Sequence, residues 1–188
     1  MNKFSLLILS FALIVMLFFV SCGEQKPDTT TDESSKFKGN HGQSGVIDDV
    51  SKPNILQIAI GSESHTTLVS GVQAAELENI LVNPGPLTVF APTNAAFDKL
   101  PEGTLDELLK PENKNKLAKI ITSHAAPGTF DIPLLKDGTT IYMATGQYID
   151  VEVKDGDTYV NGSKILASVD ASNGVVHIVD DVFLYAAE

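Results

Sequence analysis

Apolar residues in the first half of the chain beyond its N-terminal region recur at spacings of three and four, which is typical of amphipathic helices. The pattern predicts one helix over NILQIAI and a second over HTTLVSGVQAAELENIL, which the run Asn83-Pro84-Gly85-Pro86 ends. In GTLDELLK, Thr104 and Glu107 have the spacing of a capping box, which predicts that a helix begins there. A further helix is expected over PENKNKLAKIITSHAA, with His124 on its apolar face and Pro127-Gly128 at its end.

The last third of the chain changes to β-branched and aromatic residues interrupted by short turn sequences. Asp-Gly and Asn-Gly pairs tolerate positive φ and join adjacent strands, so each pair predicts a tight turn. The pairs are Asp137-Gly138, Asp155-Gly156, Asn161-Gly162 and Asn173-Gly174. Helices followed by strands predict an α+β domain.

The segment TVFAPTNAAF links the two halves of this pattern. Residues 87–90 are predicted to form a short apolar strand that Pro92 must end, because proline supplies no donor to a strand ladder. Thr93 can then cap a helix whose first turn starts at Asn94, and Phe97 returns to the core. The segment therefore indicates an architectural constraint rather than an active site.

The N-terminal segment predicts export. Residues 4–20 are an apolar run after a short basic start, and Ser21 stands directly before Cys22, the only cysteine. This arrangement resembles a bacterial lipobox, so we expect residues 1–21 to be a signal peptide and Cys22 to be the acylated N-terminus. An uncleaved membrane anchor is the alternative.

The remainder of the chain divides into a tether and a domain. Residues 22–45 comprise the lipidated cysteine and a polar stretch with too few apolar side chains to offset the entropy of ordering. We expect this stretch to be a flexible tether. Residues 46–188 have the length of one domain and contain no internal repeat, so one globular domain is predicted.

Charge and cysteine content exclude several classes of function. The formal net charge is −11, all 13 basic residues are lysine, and no arginine is present. Such a chain is a poor ligand for nucleic acid and for anionic lipid headgroups, so attachment to the membrane would rest on the lipid. With Cys22 acylated, no thiol is left for a disulfide, a metal site or a nucleophile.

The four histidines do not predict a metal site, which needs at least three converging ligands. His41 lies in the tether and His65 at a helix start, whereas His124 and His177 lie in apolar segments. We expect the last two to be hydrogen-bonded structural residues that titrate poorly. Neither a metal nor another cofactor is predicted.

Catalytic motifs are also missing from the sequence. No G-x-S-x-G motif occurs, and Ser123 and His124 are adjacent, so their side chains point in different directions. Asp180 and Asp181 would point to opposite faces of a strand, which predicts that one is solvated and the other hydrogen-bonded at the strand end. The chain is therefore not expected to be an enzyme.

The segments TVFAPTNAAF and NGVVHIVDDVFL resemble the two signature segments of the fasciclin domain family. Between them, GTLDELLKPENKNKLAKIITSHAAPG is similar to the central helices and the histidine-bearing segment of that family, and the resemblance covers residues 46–184. It implies an α+β fold, a β-wedge with a layer of helices, used mainly for adhesion and extracellular binding. The residues to which it gives signature and structural roles are Thr88, Val89, Phe90, Pro92, Thr93, Asn94, Phe97, His124, Asn173, Gly174, His177 and Asp180.

Two positions depart from the pattern of integrin-binding members. Ser123 stands before the central histidine in place of a tyrosine or another large residue, and Ser168-Val169 replaces an Asp-Ile pair. We therefore expect a non-enzymatic adhesion or extracellular binding module, anchored by the lipid to the outer membrane of a bacterial envelope, facing the periplasm or the cell surface. Its expected ligand is a surface protein or a polysaccharide. The alternative is a periplasm-facing envelope protein that binds a small apolar ligand or has a structural role.

Overall fold

The computed structural model describes residues 52–184, which contain seven strands, six α-helices and three short 3-10 turns. The predicted signal peptide, Cys22, the tether and His41 lie outside the described residues. The helices are α1 (Ile55–Ile60), α2 (Thr66–Ala74), α3 (Glu78–Val82), α4 (Asn94–Asp98), α5 (Thr104–Leu108) and α6 (Lys114–Thr122). The 3-10 turns are Glu63–His65, Pro111–Asn113 and Ile132–Leu134. None of the helices in the described range is long and apolar enough to cross a membrane.

The strands form one sheet in the order β2-β1-β7-β6-β5-β4-β3. They are β1 (Leu87–Pro92), β2 (Ala125–Pro127), β3 (Thr140–Tyr142), β4 (Tyr148–Lys154), β5 (Asp157–Val160), β6 (Ser163–Ala171) and β7 (Gly174–Val179). The central pair β1 and β7 is parallel, with Phe90 opposite His177, and every other pair in this sheet is antiparallel. A bulge between Ile165 and Ala167 shifts the register of β6 against β7.

Two hydrophobic cores lie on opposite sides of the β1–β7 pair. Because side chains alternate along a strand, Val89 packs with the helices while its neighbour Phe90 packs on the other side. That second core joins Phe90 to Ile149 and Val151 of β4, a strand far from β1 in the sheet order, so the sheet must curl over itself. The predicted α+β wedge with a layer of helices is confirmed.

The helical half differs from the prediction in three places. The expected helix over residues 65–81 is broken after α2, because Glu76 has a φ of 56° and α3 starts afresh at Glu78. The last helix ends at Thr122, because Ala125–Pro127 pairs with β1 as an edge strand. The helix at Thr104 is confirmed, but the prediction of a capping box there is wrong. The N-cap residue is Gly103, whose backbone is left-handed, and no side chain caps the helix.

Two of the predicted glycine turns have the expected geometry. Asp155-Gly156 joins β4 to β5, and Asn161-Gly162 joins β5 to β6, with positive φ at all four residues. Asn173-Gly174 differs because only the glycine has a positive φ, and Gly174 is already the first residue of β7. The pair at Gly138 precedes β3 and follows a 3-10 turn instead of a strand, so it does not join adjacent strands.

Candidate functional site

The first signature segment crosses from the sheet to the helices. Thr88 is fully buried in β1; its Oγ1 donates to the Gly128 carbonyl at 2.8 Å and accepts the N–H of Phe130 at 2.9 Å. Thr93 Oγ1 accepts the Ala96 N–H at 3.2 Å and so caps α4. These hydroxyl groups are engaged within the fold.

Asn94, the first residue of α4, connects this helix to the start of α2 through its side chain. Its Oδ1 accepts the Thr67 N–H at 3.0 Å, while its Nδ2 donates to the Glu63 carbonyl and to Thr66 Oγ1, each at 3.0 Å. Pro92 ends β1, and Phe97 of the same segment packs half-buried against the helix-side core. The segment therefore connects three elements through one amide and one aromatic ring.

Asn173 makes a second connection of this kind, at the turn before β7. Its Oδ1 accepts the Ile55 N–H at 3.0 Å, and its Nδ2 donates to the carbonyls of Leu81 and Asn83 at 2.8 and 3.1 Å. The side-chain amide thus accepts from a free N–H at the start of α1 and donates to free carbonyls at the end of α3. The next residue, Gly174, lies so close to β1 that a Cβ there would be 1.8 Å from the Leu87 oxygen.

His124 lies buried in the turn between α6 and β2. Its Nδ1 is 2.7 Å from the Ile120 carbonyl and donates to it, and its Nε2 accepts the Phe183 N–H at 2.9 Å, so the imidazole is neutral with the proton on Nδ1. Burial lowers its pKa to about 4, although the hydrogen bond to Ile120 opposes this shift. An imidazole with both nitrogens occupied has no position for a metal or a substrate.

His177 is fully buried in β7 and has a similar arrangement. Its Nε2 donates to the Phe130 carbonyl at 2.7 Å, and its Nδ1 accepts from the Ser168 hydroxyl at 2.7 Å. Burial lowers its pKa, while the hydrogen bond to Phe130 and the charge of Asp131 raise it. The ring also stacks on Phe90, with centroids 5.5 Å apart.

His65 is a third buried histidine. Its predicted position at a helix start is confirmed, but its burial is not predicted from the sequence. Its Nδ1 is 2.7 Å from Ser62 Oγ. Burial lowers the pKa of His65, and the backbone of Ala91 opposes that shift. The burial follows from the packing of α4, at the end of the first signature segment, against the 3-10 turn that contains His65.

The arrangement around these side chains does not support catalysis. Ser123 Oγ donates to the Ile120 carbonyl at 2.6 Å and lies 3.5 Å from a His124 nitrogen that already carries its proton. That nitrogen cannot act as a general base toward Ser123. Within residues 52–184, no three His, Cys, Asp or Glu side chains converge as a metal site.

The paired aspartates after β7 have different roles. Asp180 Oδ1 accepts the Lys164 N–H at 2.8 Å and the Ser163 hydroxyl at 3.1 Å, while Asp181 is exposed and accepts its neighbour's N–H. Asp180 also lies 3.7 Å from the ammonium of Lys99, which links α4 to the second signature segment. One carboxylate is solvated and the other closes a strand end, so the two do not form an acid–base pair.

The described part of the chain offers little enclosed space for a ligand. The two apolar cavities beside the helices have volumes of about 30 and 20 Å³. A groove of about 560 Å³ between Pro86, Thr129 and Ser172 is wide open to solvent. A pocket that encloses a small organic molecule has a volume of several hundred cubic ångströms, on the order of 300 or more.

The outward side of β3, β4 and β5 carries a feature that sequence reasoning missed. We call this surface the tyrosine face; it consists of Thr140, Tyr142, Tyr148, Asp150, Glu152 and Tyr159. The alternation of Tyr148, Asp150 and Glu152 with buried Ile149 and Val151 is visible in the sequence, and it indicates one outward face of β4. Only the register of the strands brings Tyr142 opposite Tyr148.

The comparisons with known proteins agree with this architecture. The model of the fasciclin domain matches residues 63–185. The protein sll1483 of Synechocystis sp. is 47% identical over 131 residues, which cover 69% of this chain and 72% of that protein. The cell surface glycolipoprotein MPB83 of Mycobacterium bovis is 36% identical over 107 residues, 57% of this chain and 47% of the glycolipoprotein.

A solved structure has the same fold. It is that of a FAS1 domain pair from the insect cell adhesion molecule Fasciclin I, with a TM-score of 0.64 and 15% identity. The match covers 71% of this chain and 51% of the solved chain, so the chain spans about half the length of that domain pair. Because the family model matches from the first 3-10 turn to beyond the last strand, the chain belongs to the fasciclin domain family.

Proposed function

We propose that the chain is a lipid-anchored binding or adhesion module of a bacterial cell envelope, with a surface protein or a polysaccharide as its ligand. Members of the fasciclin family are non-enzymatic adhesion modules. The observation that carries the proposal is that the polar side chains of the signature segments form their hydrogen bonds inside the domain. Thr88, Asn173 and His177 all form their hydrogen bonds within the fold, so recognition falls to the outer surface.

The cavity sizes favour recognition at the surface over uptake of a small apolar ligand. A volume of about 30 Å³ holds little more than one water molecule. An acyl chain or a similar ligand would have to separate the helices from the sheet and expose the core around Val72 and Val176. The alternative of an envelope protein that carries such a ligand is therefore less favourable.

The anchor is proposed from the lipobox at Cys22 and from the relative that is a cell surface glycolipoprotein. Replacing Cys22 by Ser should prevent acylation and release the protein from membranes. Ser21→Ala is the matched control, since alanine keeps a small residue before the cysteine. Incorporation of labelled palmitate and membrane fractionation measure the result; a membrane-bound, labelled Cys22→Ser protein would disprove the anchor.

Surface exposure requires a separate experiment. Protease added to intact cells should remove the domain of an adhesin that faces outward, while a periplasmic marker in the same cells stays intact. Binding of the cells to matrix-coated and polysaccharide-coated surfaces should fall with the loss of the domain. Complete protection of the domain in intact cells would contradict a role in adhesion.

A further inference from the structure

Two tyrosines form an exposed aromatic pair at one end of the sheet. Tyr142 of β3 and Tyr148 of β4 lie directly opposite each other, with ring centroids 5.1 Å apart and a 56° angle between the ring planes. The residues remain 48% and 68% exposed. A cross-strand aromatic pair stabilises its hairpin, but stability alone does not require rings of this size to stay open to water.

The exposed carboxylate of Asp150 lies beside this pair on the same face. Asp150 is two residues from Tyr148 along β4, a distance of about 7 Å at the usual rise per residue. The other carboxylates on the outward side of β4 and β5 are paired, Glu152 with Lys154 and Asp157 with Lys164. Within the part of the chain that the structure describes, Asp150 forms no ion pair.

We propose that Tyr142, Tyr148 and Asp150 form a binding site for a neutral polysaccharide. A pyranose ring has an apolar face of C–H groups that packs on an aromatic ring, and hydroxyl groups at its edge that donate hydrogen bonds. Tyr148 supplies the ring, and Asp150 supplies two acceptor oxygens at the distance of a sugar edge. The inference rests on the proposed binding function and specifies its ligand class.

Charge selects among polysaccharides and against other partners. The exposed carboxylate of Asp150 beside the rings, in a chain of net charge −11, repels uronates, sulfated sugars and anionic lipid surfaces. A protein interface of standard size would need an apolar centre that extends beyond two rings. On this face the next residues along the two strands, Thr140 and Asp150, are polar, so the apolar area is of the size of one or two sugar units.

The test is affinity electrophoresis of the full chain in detergent, with dextran, galactomannan and a mixed-linkage β-glucan as neutral probes and alginate as the acidic probe. At least one neutral probe should retard the protein, and alginate should not. Tyr148→Leu should weaken that binding by about fivefold or more, while Tyr148→Phe keeps the ring and should stay within about twofold. Asp150→Ala should weaken it by about tenfold.

Leu166→Ser is the control for a general loss of apolar surface, because Leu166 is 52% exposed on β6, which β5 separates from β4. It should leave the binding unchanged, and urea unfolding should show that every variant is folded.

Binding of Tyr148→Leu equal to that of the unchanged protein would overturn the site. Retardation by alginate alone or by none of the probes would overturn the ligand class, and so would capture of a protein ligand that the tyrosine variants still bind. In those cases the Cys22→Ser and protease experiments still decide the proposed function.

Discussion

His124 Nε2 accepts the backbone N–H of Phe183 at 2.9 Å, and the two rings stack with their centroids 4.5 Å apart and only 7° between their planes. Phe183 in turn lies against Phe90, which stacks on His177. The four rings form a continuous series through the core from the end of α6 to the centre of the sheet. His124 therefore holds the segment after β7 in place by both a hydrogen bond and packing.

Replacing His124 by Ala should destabilise the fold strongly. The change leaves the Phe183 N–H without its acceptor in a buried position and opens a cavity beside the stacked ring. We expect a loss of about 3 kcal/mol in the free energy of unfolding. Urea denaturation measures it, with exposed Asp98→Ala as the control; a loss below about 1 kcal/mol would contradict this role.

Asn173 should stabilise the folded domain through its three hydrogen bonds. Asn173→Ala removes the acceptor for the Ile55 N–H and the donor for the carbonyls of Leu81 and Asn83. The expected cost is about 2 kcal/mol, because these backbone groups lose partners in a part-buried position. Asn115→Ala, on the exposed side of α6, should cost nothing. Equal urea midpoints for the two variants would show that α1 and α3 do not depend on Asn173.

Local signals in the sequence predict the junction at Thr93 well, because the end of the strand, the cap and the turn all depend on residues within a few positions of one another. The break at Glu76 and the strand at Ala125 depend instead on distant partners. Helix-forming residues surround both positions, and pairing of Ala125 with Val89 outweighs that local preference. Sequence periodicity cannot reveal such pairing.

The same distinction applies to the candidate sites. The apolar neighbours of His124 and His177 indicate burial, so their structural role can be expected from sequence. The tyrosine face depends on a register between β3 and β4 that follows from the length of the connecting turn and from Ile141 meeting Ile149 in the core. Its aromatic residues can be found in the sequence, but their contact cannot.

Gly174 should be intolerant of any side chain. Its φ is 151°, and a Cβ would lie 1.8 Å from the Leu87 oxygen, so alanine must separate the parallel strands β1 and β7. We expect Gly174→Ala to lose about 4 kcal/mol or more, or to fail to fold. Gly138→Ala is the matched control: Gly138 also has a positive φ, but a Cβ there meets no atom within 4 Å. It should cost only about 1 kcal/mol, and similar yields of soluble protein and similar urea midpoints for both variants would contradict the close approach.

Acid should destabilise the domain through His124. Burial lowers the pKa of this imidazole from 6.5 to about 4, so between these values the unfolded chain binds a proton that the folded chain does not. The stability from the neutral ring is complete above a pH of about 6.5 and is lost as the pH falls toward 4, a change of about 3 kcal/mol. Urea titrations between pH 7 and pH 4.5 should show this fall before most carboxylates titrate. His124→Gln should reduce the slope of the free energy of unfolding against pH. The slope that remains reflects His65 and His177, because burial also lowers their pKa values. Equal slopes for the variant and the unchanged protein would show that His124 is not the group that titrates.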